Sequence, residues 1–254
     1  MGESVGVVVP AFRPNVERLS AYVRGIAAKL NPEAIRVELD DPGGGVAASL
    51  ADLPASIDVV PYRRGKGAAV TSGFESLETD VLAFADADGS TPVGELARIV
   101  GAVVEGGAAL AAGSRRHPES EIASHQTFAR RYLGDGFAWL ARRLLDVDLY
   151  DYQCGTKAIT SHAWERVREH LYEPGFAWDV ELVAMAGALD LTVVEVPIVW
   201  EDRPGSTVSP VGTSVRLARA LFVARHRAKQ LRNSRVHNAI AATRDQPTAL
   251  VERD

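Results

Sequence analysis

The stretch 81–89 reads Val-Leu-Ala-Phe-Ala-Asp-Ala-Asp-Gly and decides the fold of this 254-residue chain. Its first five residues form an apolar run of the kind found in the buried strands of parallel sheets. The carboxylates of Asp86 and Asp88 follow directly, at the point where the predicted strand ends. Ligands of open α/β sheets bind outside the carboxyl ends of the strands, so this acidic pair marks a candidate site.

On either side of this stretch the chain alternates between predicted strands and helices. The strands are 5–9, 35–39, 57–60, 81–85 and 108–112, and the helices are 15–30, 46–52, 67–78 and 92–105. This alternation favours an α/β fold with a mostly parallel central sheet and helices on both faces. Beyond it, the patterns predict helices over 128–145, 163–171 and 180–189, a strand over 191–200 and a basic helix over 213–233.

Composition excludes several classes of protein. The hydrophobic fraction of 46% and the charged fraction of 24% are those of a globular protein. A net charge of -5 argues against a nucleic-acid-binding protein, so we expect no nucleic-acid partner. The single cysteine, Cys154, excludes an intrachain disulfide and a cysteine-based zinc cluster. No run of about 18 uninterrupted apolar residues predicts a transmembrane helix.

The carboxylates of Asp86 and Asp88 predict a metal site. Mg²⁺ and Mn²⁺ prefer hard oxygen ligands and are commonly bound by one or two carboxylates together with water and substrate phosphates. Such a cation could neutralise the charge that develops on a diphosphate leaving group. The alternative is an acidic turn in which an aspartate caps the next helix.

A second candidate site is the stretch 64–67, Arg-Gly-Lys-Gly, between a predicted strand and a predicted helix. Glycine permits close backbone approach to a ligand, and Lys66 supplies a positive charge. The backbone N–H groups at a helix N-terminus would add to a phosphate site there. The alternative is an ordinary basic turn.

An ordered set of motifs resembles glycosyltransferase family 2, in its branch of dolichyl-phosphate sugar synthases. The similarity is greatest to dolichyl-phosphate glucosyltransferases, whose metal motif also runs Asp-Ala-Asp-Gly. The motifs are Val-Val-Val-Pro-Ala-Phe at 7–12, Arg-Gly-Lys-Gly at 64–67, Phe-Ala-Asp-Ala-Asp-Gly-Ser-Thr at 84–91, Gly-Ser-Arg at 113–115, Tyr-Gln-Cys-Gly-Thr-Lys at 152–157, Trp-Asp-Val-Glu-Leu at 178–182, and Trp200 followed by Gly-Ser-Thr-Val at 205–208.

This resemblance implies a GT-A, Rossmann-like fold, an inverting transfer, a nucleotide-sugar donor and Mg²⁺ or Mn²⁺ as cofactor. It also implies site residues. The nucleotide pocket would be lined by Pro10, Ala11 and Phe12, the base or ribose would be read by Asp40 or Asp41, and the nucleotide would be faced by Lys66 and Asp86. The metal would be held by Asp86 and Asp88. The catalytic residues would be these two aspartates together with Arg115 and Arg130, which would lie near the acceptor phosphate.

The chemistry of the acceptor bears on the mechanism. Transfer to a hydroxyl group needs a general base. A phosphate monoester, with a second pKa near ~6, is already largely dianionic at pH 7 and needs only positioning and charge neutralisation, which suits arginine. Asp179 and Glu181 either order the acceptor loop or hold Arg115, or they are simply an acidic pair at a helix start. Lys157 is a further candidate for phosphate contact.

These observations lead to a functional hypothesis. The chain would transfer a hexose, with glucose favoured, from a UDP-sugar to dolichyl or polyprenyl phosphate and so feed lipid-linked protein glycosylation. Three alternatives stay open: a GDP-mannose-dependent dolichyl-phosphate mannosyltransferase, a GT-A transferase with a soluble phosphorylated acceptor, and a non-catalytic nucleotide-binding membrane partner. The intact Asp86 and Asp88 pair argues against the last of these.

A lipid acceptor requires access to a membrane surface. The stretch 213–235 carries seven Lys or Arg residues and no acidic residue, with Leu217, Leu221 and Phe222 as its apolar body. A basic amphipathic helix of this kind can lie in the interface of an anionic membrane, although a solvated basic face is the alternative. We therefore expect a catalytic domain over 1–212, an interfacial helix over 213–235 and a mobile tail over 236–254. The expected location is cytoplasmic, peripherally associated with the cytoplasmic face of a membrane.

Overall fold

The computed structural model describes residues 2–122, 128–200, 210–241 and 247–253, with side chains for all of these except 122, 128–133, 210–215 and 239–241. The strands are β1 (Val5–Phe12), β2 (Ala34–Asp40), β3 (Ser56–Val60), β4 (Val81–Ala85), β5 (Leu110–Ser114), β6 (Glu121–Ile122), β7 (Thr156–Thr160), β8 (Val193–Pro197) and β9 (Val199–Trp200). The helices are α1 (Val16–Lys29), α2 (Val46–Ser49), α3 (Lys66–Glu75), α4 (Val93–Val104), α5 (Phe128–Leu144), α6 (Ser161–Val167), α7 (Trp178–Ala188), α8 (Pro210–Leu231) and α9 (Arg235–Ala241).

Seven strands form one sheet in the order β3-β2-β1-β4-β7-β5-β8. Strand β7 is antiparallel to both of its neighbours, and the other pairings in this sheet are parallel. The predicted mostly parallel sheet is therefore confirmed. Strands β6 and β9 pair in parallel as a separate two-stranded sheet.

Strand β7 was missing from the sequence prediction. It is five residues long and carries Lys157 at its second position, a residue that is depleted in strands. Lys157 is nevertheless buried, with 1% of its surface exposed, because a buried carboxylate of α7 pairs with it. Sequence periodicity alone does not reveal such a pair, since its two members lie in different elements.

A hydrophobic core packs on each face of the sheet. In β1 the side chain of Val8 lies in one core, whereas Val7 and Val9 lie in the other, as strand alternation requires. Helices α3, α7 and α8 contribute to the first core, and α1 and α4 contribute to the second. Helices therefore cover both faces, as predicted.

Two predictions for the second half of the chain need correction. The single strand expected over 191–200 is two strands, because β8 pairs with β5 in the main sheet whereas β9 pairs with β6 in the second sheet. The tail is not uniformly mobile, since it contains α9 and a 3-10 turn at Leu250–Glu252. Leu250 is buried, and its N–H donates to the carbonyl of Leu171 at 2.8 Å.

Helix α8 packs one of its sides against the domain. Leu221, which we expected at a membrane interface, is completely buried in the core. Phe222 is 54% exposed, in agreement with the expectation. Among the described residues, no helix combines the length and apolar character needed to cross a membrane.

Candidate active site

The candidate site lies at the carboxyl edge of the sheet, where β4 ends. Asp86 follows the last residue of β4, and its backbone N–H donates to the carbonyl of Gly155 at 2.9 Å. Asp88 is exposed, and its Oδ1 accepts a hydrogen bond from the N–H of Ser90 at 2.9 Å. Between them and the next helix, Gly89 adopts a φ of 63°, which glycine tolerates at no steric cost. The turn thus presents both carboxylates at the same edge, as predicted.

Lys66, the first residue of α3, forms an ion pair with Asp86 at this edge of the sheet. Its Nζ lies 3.0 Å from Asp86 Oδ1 and 2.8 Å from Asp179 Oδ2, and only 7% of its side chain is exposed. Burial lowers the pKa of a lysine, but the charges of Asp179 and Asp86 outweigh this effect and raise the pKa of Lys66 above its ordinary value. Lys66 therefore stays positively charged at this edge, as a phosphate ligand would require.

Asp179 is the centre of a buried charge network that the sequence did not reveal. Its Oδ1 lies 2.9 Å from Lys157 Nζ, while Oδ2 faces Lys66. Burial raises the pKa of a carboxyl group, but Lys157 and Lys66 together lower the pKa of Asp179 below its usual range. Lys157 also donates to the carbonyl of Cys154 at 2.7 Å. Lys157 is thus a buried partner of Asp179, and the predicted phosphate contact gains no support from its position.

The pair Asp86 and Asp88 fits a divalent cation. Burial, together with the negative charges of Asp179 and Asp88, raises the pKa of Asp86, while Lys66 opposes the shift. A cation placed here would relieve this repulsion between like charges. Among the described residues no group of three His, Cys, Asp or Glu side chains forms a complete protein cage. Two carboxylates with open positions for water and phosphate are what Mg²⁺ uses at nucleotide sites.

Arg115 is fixed at the same edge, just after β5. Its Nε and Nη2 donate to the two carboxylate oxygens of Asp151 at 2.7 and 3.0 Å. Although burial raises the pKa of Asp151, the Arg115 guanidinium lowers it to about 2. Asp151 is itself held by Glu195, which accepts from the N–H of Asp151 at 2.7 Å. One of the interpretations of Asp179 and Glu181 was that they hold Arg115, but the partner of Arg115 is Asp151.

The two acidic residues predicted on the nucleotide side of the site lie in different environments. Asp40 is buried, and it accepts hydrogen bonds from the backbone N–H and the Nε of Arg64 at 2.7 and 2.8 Å. Asp40 therefore anchors the 64–67 stretch, since both of its carboxylate oxygens accept hydrogen bonds from Arg64. Asp41 is half-buried and pairs with Arg13 at 2.6 Å. Asp41 is the more exposed of the two, and the role of either residue at the nucleotide stays a prediction.

The turn after β1 presents an aromatic surface. Phe12 is 39% exposed, and the guanidinium carbon of Arg63 lies 4.2 Å from the centroid of its ring. Ala11 is buried and Pro10 is half-buried, so Phe12 is the most exposed of the three predicted nucleotide-pocket residues. The side chain of Arg130 lies outside the described residues, and its predicted role stays a prediction.

Glu181 has a role that the sequence did not predict. Its Oε2 accepts from the backbone N–H groups of Tyr172 and Glu173 at 2.8 and 2.7 Å, and its Oε1 is paired with Arg227 of α8. Burial raises the pKa of Glu181, and Arg227 and the two amides oppose this shift. Because the partners are backbone groups and a residue of a distant helix, no local motif could have disclosed them.

Comparisons with known proteins agree with this arrangement. Residues 44–154 match the family model Glycosyl transferase family 2. Dolichyl-phosphate beta-glucosyltransferase of Mus musculus is 31% identical over 169 residues, which cover 65% of this chain and 52% of the relative. Glycosyltransferase AglD of Haloferax volcanii is 29% identical over 220 residues, which cover 83% of this chain and 35% of AglD. The predicted resemblance to this family is confirmed, although the chain spans about half the length of the first curated relatives it matches.

Solved structures confirm the GT-A fold. Glucosyl-3-phosphoglycerate synthase of Mycobacterium tuberculosis, in complex with Mn²⁺, UDP-glucose and phosphoglyceric acid, superposes with a TM-score of 0.66 at 14% identity, covering 88% of this chain and 80% of that one. Mannosyl-3-phosphoglycerate synthase of Rubrobacter xylanophilus gives a TM-score of 0.64 at 17% identity, covering 99% and 80%. At these identities the similarity establishes the fold.

Proposed function

We propose that this chain, with its relationship to glycosyl transferase family 2, is an inverting hexosyltransferase. It takes the sugar from a UDP-sugar, with UDP-glucose favoured, and transfers it to dolichyl or polyprenyl phosphate for lipid-linked protein glycosylation. The names of the relatives support the acceptor class, since several are dolichyl-phosphate beta-glucosyltransferases. A neighbour of the same fold crystallised with Mn²⁺ and UDP-glucose supports the donor and the metal.

The observation that carries this proposal is that three carboxylates around the site are already engaged. Asp151 is held by Arg115, Asp179 by Lys66 and Lys157, and Glu181 by Arg227 and two backbone amides. Because each is an acceptor of charged or multiple hydrogen bonds, none is suited to take a proton from a hydroxyl nucleophile. A phosphate dianion requires no such base, and this favours a phosphate acceptor.

The other charged residues of the site would bind the two substrates separately, some the donor and one the acceptor. Asp86 and Asp88 would hold Mg²⁺ or Mn²⁺, which when bound supplies neutralisation of the charge developing on the diphosphate. Lys66 would add a positive charge on the donor side. Arg115 would face the acceptor phosphate, with its guanidinium oriented by the two bonds to Asp151.

Our proposal includes peripheral attachment to the cytoplasmic face of a membrane, through a smaller surface than the sequence suggested. Four basic residues of α8 and its C-terminal turn contact the domain instead of pointing outward: Arg225 bonds the Leu144 carbonyl, Arg227 pairs with Glu181, Lys229 with Asp146, and Arg232 with Asp190. Among the side chains of α8 that the structure describes, from residue 216 onward, the exposed ones are Arg216, Arg219, Phe222 and Val223. We define these four as the outer face of α8. Two cations beside two apolar side chains suit an anionic lipid interface.

The decisive experiment is a panel of radiolabelled nucleotide sugars offered with polyprenyl phosphate and Mn²⁺. We expect label from UDP-glucose to enter the lipid fraction. Label entering from GDP-mannose instead would replace the donor assignment. Transfer to phosphoglyceric acid but not to polyprenyl phosphate would contradict the lipid acceptor. The Asp88→Ala variant is the control for background transfer.

A further inference from the structure

The loop 171–175 contacts both the start of α3, on the donor side of the site, and Glu181 of α7, which is paired with Arg227 of α8. The carbonyl of Pro174 accepts from the N–H of Ala68, in the first turn of α3, at 3.1 Å. Gly65 and Gly67 lie against the same loop so closely that a Cβ on either would fall 2.4 Å from the carbonyl oxygens of Pro174 and Glu173, respectively. The position of the Lys66 backbone therefore depends on where this loop lies.

The loop is in turn held by Glu181, and Glu181 by α8. The Oε2 of Glu181 accepts hydrogen bonds from the successive backbone N–H groups of Tyr172 and Glu173, while its Oε1 pairs with Arg227. The guanidinium of Arg227 also lies 4.4 Å from the centroid of the Tyr172 ring. Glu181 is 1% exposed, so loss of Arg227 would leave an almost fully buried carboxylate with only the two amides.

We propose that Glu181 and Arg227 act as a positioning pair through which helix α8 sets the loop 171–175 and, with it, the donor-binding residue Lys66. The inference rests on the proposed function, since it assigns the pair to the donor subsite. Neither residue contacts the Asp86 and Asp88 turn in the described structure, so their effect passes through the loop. Asp179, two residues before Glu181 on α7, fixes the ammonium of Lys66 by a direct bond, whereas Glu181 fixes its backbone.

The outer face of α8 lies on the same helix as Arg227, at 216–223. The helix that carries the proposed membrane contact is therefore the helix that supports the donor site. Any displacement of α8 along its axis would be transmitted to Glu181 by a charged hydrogen bond, which is sensitive to small changes in distance. The pair thus links the position of α8 to the geometry around Lys66.

The test compares Arg227→Met with Arg232→Met in the full chain. Arg232 is a matched control because it follows α8 directly, donates to the Gly187 carbonyl at 2.8 Å and pairs with Asp190, at the opposite end of α7 from Glu181. Hydrogen exchange at the amides of Tyr172, Glu173 and Ala68 is measured in each variant. We expect these amides to exchange at least about tenfold faster in Arg227→Met only, which corresponds to about 1.4 kcal/mol of local stability.

The second measurement is the Kd of UDP in the presence of Mn²⁺. We expect Arg227→Met to raise this Kd about tenfold, Arg232→Met to leave it unchanged, and Arg227→Lys, which keeps the charge, to recover most of the affinity. In turnover assays KM for the donor should rise more than kcat falls. Equal exchange in the two methionine variants, or faster exchange with an unchanged Kd, overturns the positioning pair. Failure of the wild type to bind UDP would overturn the donor assignment instead, and the exchange data alone would then decide whether the pair sets the loop.

Discussion

Gly155 lies directly against the carboxylate of Asp86. A Cβ at position 155 would fall 1.8 Å from Asp86 Oδ2, a distance at which the carboxylate must move. The backbone of Gly155 does not need a positive φ, so any residue could adopt its conformation. The glycine is therefore required by the space that Asp86 occupies and not by the turn itself.

This relationship predicts the effect of Gly155→Ala. The methyl group should displace Asp86 from both Lys66 and the proposed metal position, while β7 still forms. We expect Mn²⁺ affinity and turnover to fall at least about tenfold, as for a ligand shifted by about 1 Å. Isothermal titration with Mn²⁺ and UDP measures the first quantity directly.

The control for this variant is Gly101→Ala in the C-terminal part of α4. A Cβ at position 101 has no heavy atom within 4 Å, and alanine is favoured over glycine in a helix interior by about 1 kcal/mol. Gly101→Ala should therefore be as stable as the wild type or more so, with unchanged Mn²⁺ affinity. An unaffected Mn²⁺ affinity in Gly155→Ala would contradict the assignment of Asp86 to the metal.

Removing the second carboxylate should abolish metal-dependent activity. Asp88 is exposed and accepts one backbone hydrogen bond, so the Asp88→Ala variant should fold, and its free energy of unfolding should fall by about 1 kcal/mol or less. Its turnover should fall at least about 100-fold, because a bound cation contributes several kcal/mol to stabilising a developing charge. EDTA should inhibit the wild type, and added Mn²⁺ should restore it. Full activity of the wild type in EDTA would show that the pair is only an acidic turn.

The bond between Arg115 and Asp151 should make the protein sensitive to acid. The pKa of Asp151 is lowered to about 2 in the folded state, against an ordinary value of 3.8. Above both values the pair stabilises the fold. As the pH falls from about 4 to 2, the unfolded state takes up the proton first, and about 2 kcal/mol of stability is lost.

Urea unfolding at pH 5 and pH 2.5 measures this effect. The Asp151→Asn variant should be less stable than the wild type at pH 5 and should lose less stability on acidification. Burial raises the pKa values of Glu38 and Glu181, and these two residues contribute equally to the pH dependence of stability in both proteins. Their contributions therefore cancel when the acid responses of the wild type and the variant are compared. An identical acid response in the two proteins would mean that the pair does not hold Asp151 ionised.

The rate of transfer should follow the ionisation of the acceptor. With a second phosphate pKa near ~6, roughly a tenth of the acceptor is dianionic at pH 5 and most of it is at pH 7 or above, so kcat/KM should fall about tenfold between pH 7 and pH 5. Because burial also raises the pKa of Asp86, UDP and Mn²⁺ binding is measured over the same pH range. A fall in kcat/KM with constant donor affinity identifies the acceptor. Equal transfer to dephosphorylated polyprenol would exclude a phosphate nucleophile.

Vesicle binding should depend on the outer face of α8. The double variant Arg216→Glu and Arg219→Glu should reduce pelleting with anionic vesicles at least about tenfold, since each cation near such a surface contributes about 1 kcal/mol. The matched control is Arg24→Glu with Lys29→Glu on α1, an equal change in charge on a helix that packs on the other face of the sheet. Equal losses in the two double variants would show non-specific attraction, and high salt should release the wild type.

The sequence was sufficient to predict a mostly parallel sheet with flanking helices, and polar segments that contain Lys66 and Asp86 at its carboxyl edge. These features depend on local patterns, namely apolar runs and short polar segments at strand ends. Asp179 was not assigned its role because the residue it fixes, Lys66, lies 113 positions away. The same reason explains Arg227, which in the sequence is one of seven basic residues of a helix and in the structure is the partner of Glu181. Asp40 was assigned to the nucleotide because spacing placed it at the correct edge, but spacing does not reveal that Arg64 occupies its oxygens.

The antiparallel strand β7 also governs the order in which the chain can fold during synthesis. Strand β5 leaves the ribosome before β7 and β8, yet these are its two neighbours in the main sheet, and they come from 156–160 and 193–197. Until residue 160 has emerged, β4 is an unpaired edge strand of the parallel half β3-β2-β1-β4. All five residues of β4 are buried in the folded protein, and an exposed apolar edge strand is a site at which chains associate. Pairing of β7 covers that edge and places Gly155 beside Asp86 in the same event, so we expect the open edge to be lost when the proposed metal-binding turn is completed.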